Sequence, residues 1–323
     1  MSATTTDLPD LPDLPDLLWG RHYAMVEPSA YRIDYAINPF MDPARQPDAA
    51  RAREQWEALV ATLRGLGARV DVVAPLPDAP DMVYAMNLGL ALCDAPGALP
   101  ARPGGRRVVL SHMRFAQRRL ETAAARQWFE ATGFSPQELG PGPEETPGAA
   151  PVPHFEAGDA FPVSGVLVVG HGPRTEAAAL PRLAERVGAE ARGVRLVDPA
   201  MYHLDLALCP LDAEQAIVCP EALDPVSAAA LLDLVPRPLV ITREEALSTW
   251  CANSVVVGRT VVMPDCPPRV RRELERRGFE VALVDVGEFH LGGGSIRCLT
   301  NPLDITLGRD LAAVPAAPGV AVA

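Results

Sequence analysis

The chain contains no Cys-x-x-Cys pair, and its six cysteines, at 93, 209, 219, 251, 266 and 298, form no tight cluster. That spacing argues against a disulfide framework and against a zinc site, and it points to reduced thiols in a cytoplasmic setting. No apolar run approaches the roughly 20 residues that a membrane-spanning helix needs, so no membrane partner is expected. Positive charge is outnumbered: 29 basic residues stand against 41 acidic ones, for a formal net charge of −12. This balance disfavours nucleic acid and anionic membranes as partners and suits a small cationic one. The N-terminal stretch lacks the basic start and apolar core of a signal peptide. With Asp-Leu-Pro repeated between Asp7 and Pro15, residues 1–18 read as a disordered acidic leader.

What is present is a repeated grammar of amphipathic helix, glycine and short β-branched strand. Residues 50–65 place Trp56, Leu59, Val60 and Leu63 at helical spacing, and Gly67 and a strand at 69–73 follow. The same order recurs from about residue 176 to 197, from 226 to 241 and from 268 to 286, and 117–132 reads as a further helix ending at Gly133. Glycine after a last helical turn is a C-cap signal, and the 3.6-residue apolar period supports each helix. Extra short strands are expected at 107–110, 166–169, 215–218, 254–257 and 260–263. A doubly wound sheet would instead read as longer apolar strands. Short strands in close pairs favour an α/β architecture of repeated modules. One domain is expected over 19–310 with a flexible tail at 311–323, and residues 140–153 read as an exposed loop.

The chemistry concentrates in a few polar segments at expected strand ends. Gly292-Gly293-Gly294-Ser295-Ile296-Arg297-Cys298 delivers a thiol on three glycines, whose backbone freedom can hold it beside a ligand. The others are Asp81 through Asn87, His154 through Asp159, Tyr202-His203-Leu204-Asp205 and Gly172-Pro173-Arg174-Thr175. Singly, each has an ordinary structural reading: a turn at Glu156–Asp159, a core histidine at 203, a surface arginine at 174.

Together, in this order and across residues 31–300, they resemble the guanidino-group-modifying superfamily of arginine deiminases, dimethylarginine dimethylaminohydrolases and amidinotransferases. The resemblance implies a single-domain, five-bladed α/β propeller (the pentein fold) of ββαβ modules. It implies Cys298 as nucleophile, His203 as general acid/base and Glu156 as the carboxylate that orients the histidine. Asp205 would bind the substrate's guanidinium or ureido nitrogens. Arg174 and one of Arg118 and Arg119 would anchor its carboxylate, with Asp81 a further substrate contact. No metal or cofactor is required by this chemistry. A guanidinium carbon is a poor electrophile, so a polarizable thiolate must attack it. An imidazole can then protonate the departing nitrogen and later activate water.

The chain departs from the deiminase pattern at Asn87, where an aspartate is usual. An amide removes one cation-selecting charge and makes a neutral ureido group less unfavourable. The segments around Asn38 and Asn87 resemble a subgroup that includes arginine dihydrolases, which makes Asn38 a further substrate-site candidate. The expectation is a cysteine hydrolase of C–N bonds in linear amidines, acting on arginine or methylarginine as arginine dihydrolase or dimethylargininase. Amidino transfer to an amine and a non-catalytic propeller binding protein are the alternatives, and a homo-oligomer is left open.

Overall fold

Asp48 sits in extended backbone and accepts hydrogen bonds from the N–H groups of Ala50 and Arg51, and the helix Ala49–Gly65 starts there. Asp224 caps the helix Pro225–Leu234 in the same way, with a proline at its first position. Gly188 closes Ala179–Val187 in the left-handed conformation. Helices Arg119–Ala131 and Pro268–Arg276 complete the five expected from apolar spacing. The structure, a computed structural model, describes residues 16–94, 105–140 and 151–314.

Each helix joins two parallel strands of a small sheet. In four of the sheets an antiparallel strand comes first in the chain. Gly89–Asp94 pairs antiparallel with Arg106–Leu110, which pairs parallel with Ser135–Gln137 across the helix Arg119–Ala131. The order repeats in Ala160–Val163, Val166–His171 and Ala191–Arg195. It repeats again in Leu208–Pro210, Gln215–Val218 and Arg237–Val240, and in Val255–Val257, Thr260–Met263 and Glu280–Leu283. The remaining sheet pairs His22–Val26 parallel with Arg69–Val73, and its antiparallel strand, Asn301–Pro302, arrives from far along the chain. Five separate sheets replace the single doubly wound sheet that was the alternative. Helix faces bury the expected residues, Trp56, Leu59, Val60 and Leu63 among them, against the strands. No helix among the described residues is long and apolar enough to cross a membrane.

Three expectations need amendment. The strand expected to close the unit at 176–197 is Ala191–Arg195, because Leu196 leaves the sheet to bridge Leu223. Residues 311–314 are not a loose tail: Leu311 is fully buried and bridges Gly165 and Leu307, and Ala313 bridges Ala189. Of the expected leader, Asp16 bridges Asp212 and Leu17 is buried, while residues 1–15 lie outside the described residues, as do 141–150 of the expected loop and the tail beyond 314.

The repeat has one consequence for the site. In every sheet the polar segment identified from sequence, or an equivalent one, lies just before the first antiparallel strand. Asn87 precedes Gly89–Asp94, Glu156 precedes Ala160–Val163, His203 and Asp205 precede Leu208–Pro210, Asn253 precedes Val255–Val257, and Cys298 precedes Asn301–Pro302. Asn301 ties two of these segments together, donating from Nδ2 to the carbonyls of Ala85 at 3.0 Å and Gly89 at 2.9 Å. The Met86 N–H donates to the Cys298 carbonyl at 3.0 Å. Replacing Asn301 by Ala strands buried acceptors, and equilibrium urea unfolding should show a loss of about 2 kcal/mol.

Candidate active site

The thiol of Cys298 is 3% exposed and lies between two side chains. Its Sγ–H donates to Asp205 Oδ2 at 3.1 Å, and Asn253 Nδ2 donates to Sγ at 3.1 Å. Asn253 also accepts the Cys298 backbone N–H on Oδ1 at 3.2 Å and donates to the Asp205 carbonyl at 3.0 Å. One amide therefore fixes both the nucleophile candidate and its carboxylate neighbour. Burial pushes the Cys298 thiol well up and the Asp205 carboxylate adds to that; burial raises Asp205 as well.

Why three glycines precede the thiol is visible in the packing. Gly293 has φ +89°, and a side chain there would meet the Asn38 amide at 2.6 Å. Gly292 and Gly294 leave no room for a Cβ because the Tyr84 ring fills that space. The loop is held from below by aromatic and amide groups: Tyr84 Oη donates to the Phe289 carbonyl at 2.7 Å, Tyr202 Oη to Gly293 at 2.6 Å and Asn38 Nδ2 to Gly292 at 3.0 Å. Close approach, more than backbone freedom, dictates glycine at two of the three positions.

Beside the thiol stands a buried chain of charges. His203 Nε2 meets Glu156 Oε2 at 2.8 Å, and Arg174 Nη1 donates to the same oxygen at 3.0 Å. The Arg114 N–H reaches Glu156 Oε1 at 3.1 Å. Burial alone would raise the Glu156 carboxyl, but Arg174 and His203 outweigh it and hold the group well below the usual carboxylate range. Arg174 is packed between the rings of Tyr202 and Phe115 and also donates to the Ile37 carbonyl at 3.0 Å. Asp159 Oδ1 accepts the Leu204 N–H at 2.8 Å and so sets the turn that carries both His203 and Asp205; burial pushes this carboxyl up to about 7.

These groups open onto one cavity of about 270 Å³, its open mouth included, lined by Asp81, Asn87, Arg118, Arg174, His203 and Cys298, with Ile37, Asn38, Tyr84, Tyr202, Gly292 and Gly294 completing the wall. Nine of the ten residues chosen from sequence thus converge: Asp205 and Glu156 lie against cavity-lining partners, and the rest of the nine line the wall directly. Arg119 does not. It is exposed and its guanidinium serves the Met113 and Arg114 carbonyls, whereas Arg118 is buried, bidentate on Glu121 at 2.7 Å, with Nη1 making no hydrogen bond among the described residues. The carboxylate oxygen Asp81 Oδ1 has no hydrogen-bond partner among the described residues. Among the described residues, no group of three or more His, Cys, Asp or Glu side chains is placed to hold a metal.

A family model described as N,N dimethylarginine dimethylhydrolase, eukaryotic, matches residues 24–305. The chain belongs to this dimethylarginine dimethylaminohydrolase family. It is 32% identical over 282 residues to the N(G),N(G)-dimethylarginine dimethylaminohydrolase of Mycobacterium tuberculosis, covering 87% of this chain and 85% of that one. It is 33% identical to the bifunctional arginine dihydrolase/ornithine cyclodeaminase ArgZ of a Synechocystis species, over 85% of this chain but only 37% of that longer protein. Among solved structures, the N-terminal domain of ArgZ bound to substrate, described as a cyanobacterial arginine dihydrolase, superposes with a TM-score of 0.78 at 29% identity, over 88% of this chain and 98% of that one.

In this dimethylarginine dimethylaminohydrolase family member, sequence reasoning missed Asn253, which no polar cluster announces. Its place two residues before the first strand of its sheet matches that of Asn87 in another, and that periodicity was the available signal. Breaking the Glu156 cluster should be costly. Glu156→Gln leaves Arg174 and His203 without their shared anion, and unfolding at pH 7 should show a loss of about 3 kcal/mol. In the parent the carboxylate's contribution is complete above the usual carboxylate range and is lost as acid titrates the depressed native group. Acid-unfolding curves of the variant should therefore lack that segment of pH dependence.

Proposed function

We propose that the protein is a cysteine hydrolase of the guanidino group of arginine, working as an arginine dihydrolase, with its five sheets closed around the site as a five-bladed propeller. Cys298 Sγ attacks the guanidino carbon, ammonia leaves with a proton from His203, and a covalent thiouronium remains. Water, deprotonated by His203, attacks that carbon and the thiolate departs, giving a ureido product. Glu156 orients the imidazole and stabilises its charged form. Asp205 grips the planar group with parallel N–H bonds, and the cationic substrate offsets the charge that its ionised thiol neighbour acquires. Asp81, a residue of the cavity wall, takes the α-ammonium group, and Arg118 Nη1 takes the α-carboxylate. Arg174, bound to Glu156 and Ile37, acts first as a support for the carboxylate that orients His203.

The observation that favours a second round is the orientation of Asn87. Its Oδ1 accepts the Gly158 N–H at 2.9 Å, which turns the Nδ2 donor toward the cavity that Asn87 lines. A donor there repels guanidinium N–H groups and suits the oxygen of a ureido group. Held in this way, the ureido carbon is attacked again, a second ammonia leaves, and water releases a carbamate that decays to ornithine and carbon dioxide. A free thiol nucleophile is kept reduced in the cytoplasm, where this reading places the enzyme.

Purified protein incubated with arginine, citrulline and N-methylated arginines tests this. Ornithine should accumulate from arginine and from citrulline, and Cys298→Ser should reduce turnover at least about a thousandfold. Asn87→Asp should shift the product of arginine toward citrulline. Faster alkylamine release from dimethylarginine would favour the dimethylargininase reading, and an amidinated amine acceptor would favour transfer. No turnover of any of these compounds overturns the proposal.

A further inference from the structure

Arg297 immediately precedes the nucleophile candidate, yet its side chain does not line the cavity. It is 2% exposed and belongs to the largest fully buried side chains of the protein. The guanidinium lies 4.9 Å from the centre of the Phe161 ring and 5.4 Å from that of Trp19. Its Nε, Nη1 and Nη2 make no hydrogen bond to any described residue. An isolated buried cation is expensive, and arginine does not shed its proton to escape the cost. Burial pushes its affinity for the proton down, and four neighbouring groups, Tyr23, Asp205, Cys209 and Cys298, pull it back.

Two of those four cannot serve as counter-charges near neutral pH. Burial drives the Tyr23 phenol far up and the Cys209 thiol up to about 12, so both stay neutral. Asp205 remains, and its Oδ1 is itself buried without a partner while Oδ2 takes the Cys298 thiol. When that thiol ionises, two anions stand 3.1 Å apart, a juxtaposition that an opposite charge nearby must offset. From the cavity side His203 faces the pair and Tyr202 lies near both, while Asn253 meets Sγ from the segment before Val255–Val257. Outside the cavity wall the cation coupled to both groups is Arg297, the residue bonded to Cys298 in the chain.

We propose that Arg297 is a positioning residue for the reaction, a buried, unpaired cation next to Cys298 in the chain and outside the cavity wall that stabilises the thiolate through the protein interior without touching substrate. The proposal rests on Cys298 being the nucleophile. Because the charge is enclosed by Trp19 and Phe161, salt screens it little.

The test is alkylation of the free protein by iodoacetamide, in which the S–C bond forms, iodide leaves and the thiol proton goes to buffer. The modified peptide is quantified by mass spectrometry as a function of pH. Arg297→Met and Arg297→Gln should alkylate at Cys298 about tenfold more slowly at pH 7, with the midpoint raised by about one unit. Arg297→Lys should stay near the parent. In turnover assays the neutral variants should lose kcat with little change in KM. A purely structural role predicts the opposite sign, because a loosened site exposes the thiol and speeds alkylation. A folded neutral variant with the parent's profile, or a folded lysine variant with the slowed profile, overturns the proposal. If Cys298 of the parent is not alkylated in preference to the other cysteines, the nucleophile assignment itself fails; if it is, but residue 297 has no influence, only this inference fails.

Discussion

The contact on which the rest of the site depends is the one between Asn253 and Cys298. A single amide donates to the sulfur and to the Asp205 carbonyl and accepts the Cys298 backbone N–H, so three distances of 3.0–3.2 Å are set by one side chain. Around that clamp the protein arranges groups that would be ruinous separately. Asp81, Asp205, Glu156, Asp159 and Glu121 are all buried, as are Arg118, Arg174, Arg297 and His203. Buried charges of both signs are tolerable only when each faces another, and the polar floor of the cavity follows from that requirement.

The floor is assembled by repetition. Each sheet hands over the few residues that precede its first antiparallel strand, so five unremarkable strand entries converge on one place. Gly158 shows how tight the convergence is: a Cβ there would come within 3.1 Å of Asn87, 3.3 Å of Asp205 and 3.4 Å of His203. Specific chemistry then requires only exchanges at the entries, such as an amide for a carboxylate at Asn87, without rebuilding the sheets beneath.

Much of this was legible in the sequence, for reasons that differ by residue. Helices with a wide apolar face announced themselves, since Trp56, Leu59, Val60 and Leu63 are all buried along one side of Ala49–Gly65. The strand Ala191–Arg195 did not, because only Val194 is buried and no alternation survives. Cys298 and Glu156 stood out because they sit in short polar clusters beside glycines, and His203 because Asp205 follows two residues on. Asn253 was hidden by its neighbours, a lone amide after Trp250, Cys251 and Ala252. Arg118 and Arg119 could not be separated by spacing, since both fall at the start of one helix; the short turn Ala116–Arg118 buries the first against Glu121 and exposes the second. Leu311 lies in a stretch of small residues that looks like a tail, and only its bridges to Gly165 and Leu307 reveal the role.

The strand Asn301–Pro302 pairs with His22–Val26 across almost the whole length of the polypeptide. Three sheets can form as the ribosome delivers them, whereas the sheet of Gly89–Asp94 gains its edge strand Thr306–Leu307 late, and this one waits for a partner that carries the sulfur with it. A nascent or prematurely terminated chain therefore holds the imidazole, the carboxylates and the amide without the thiol that Asp205 and Asn253 enclose.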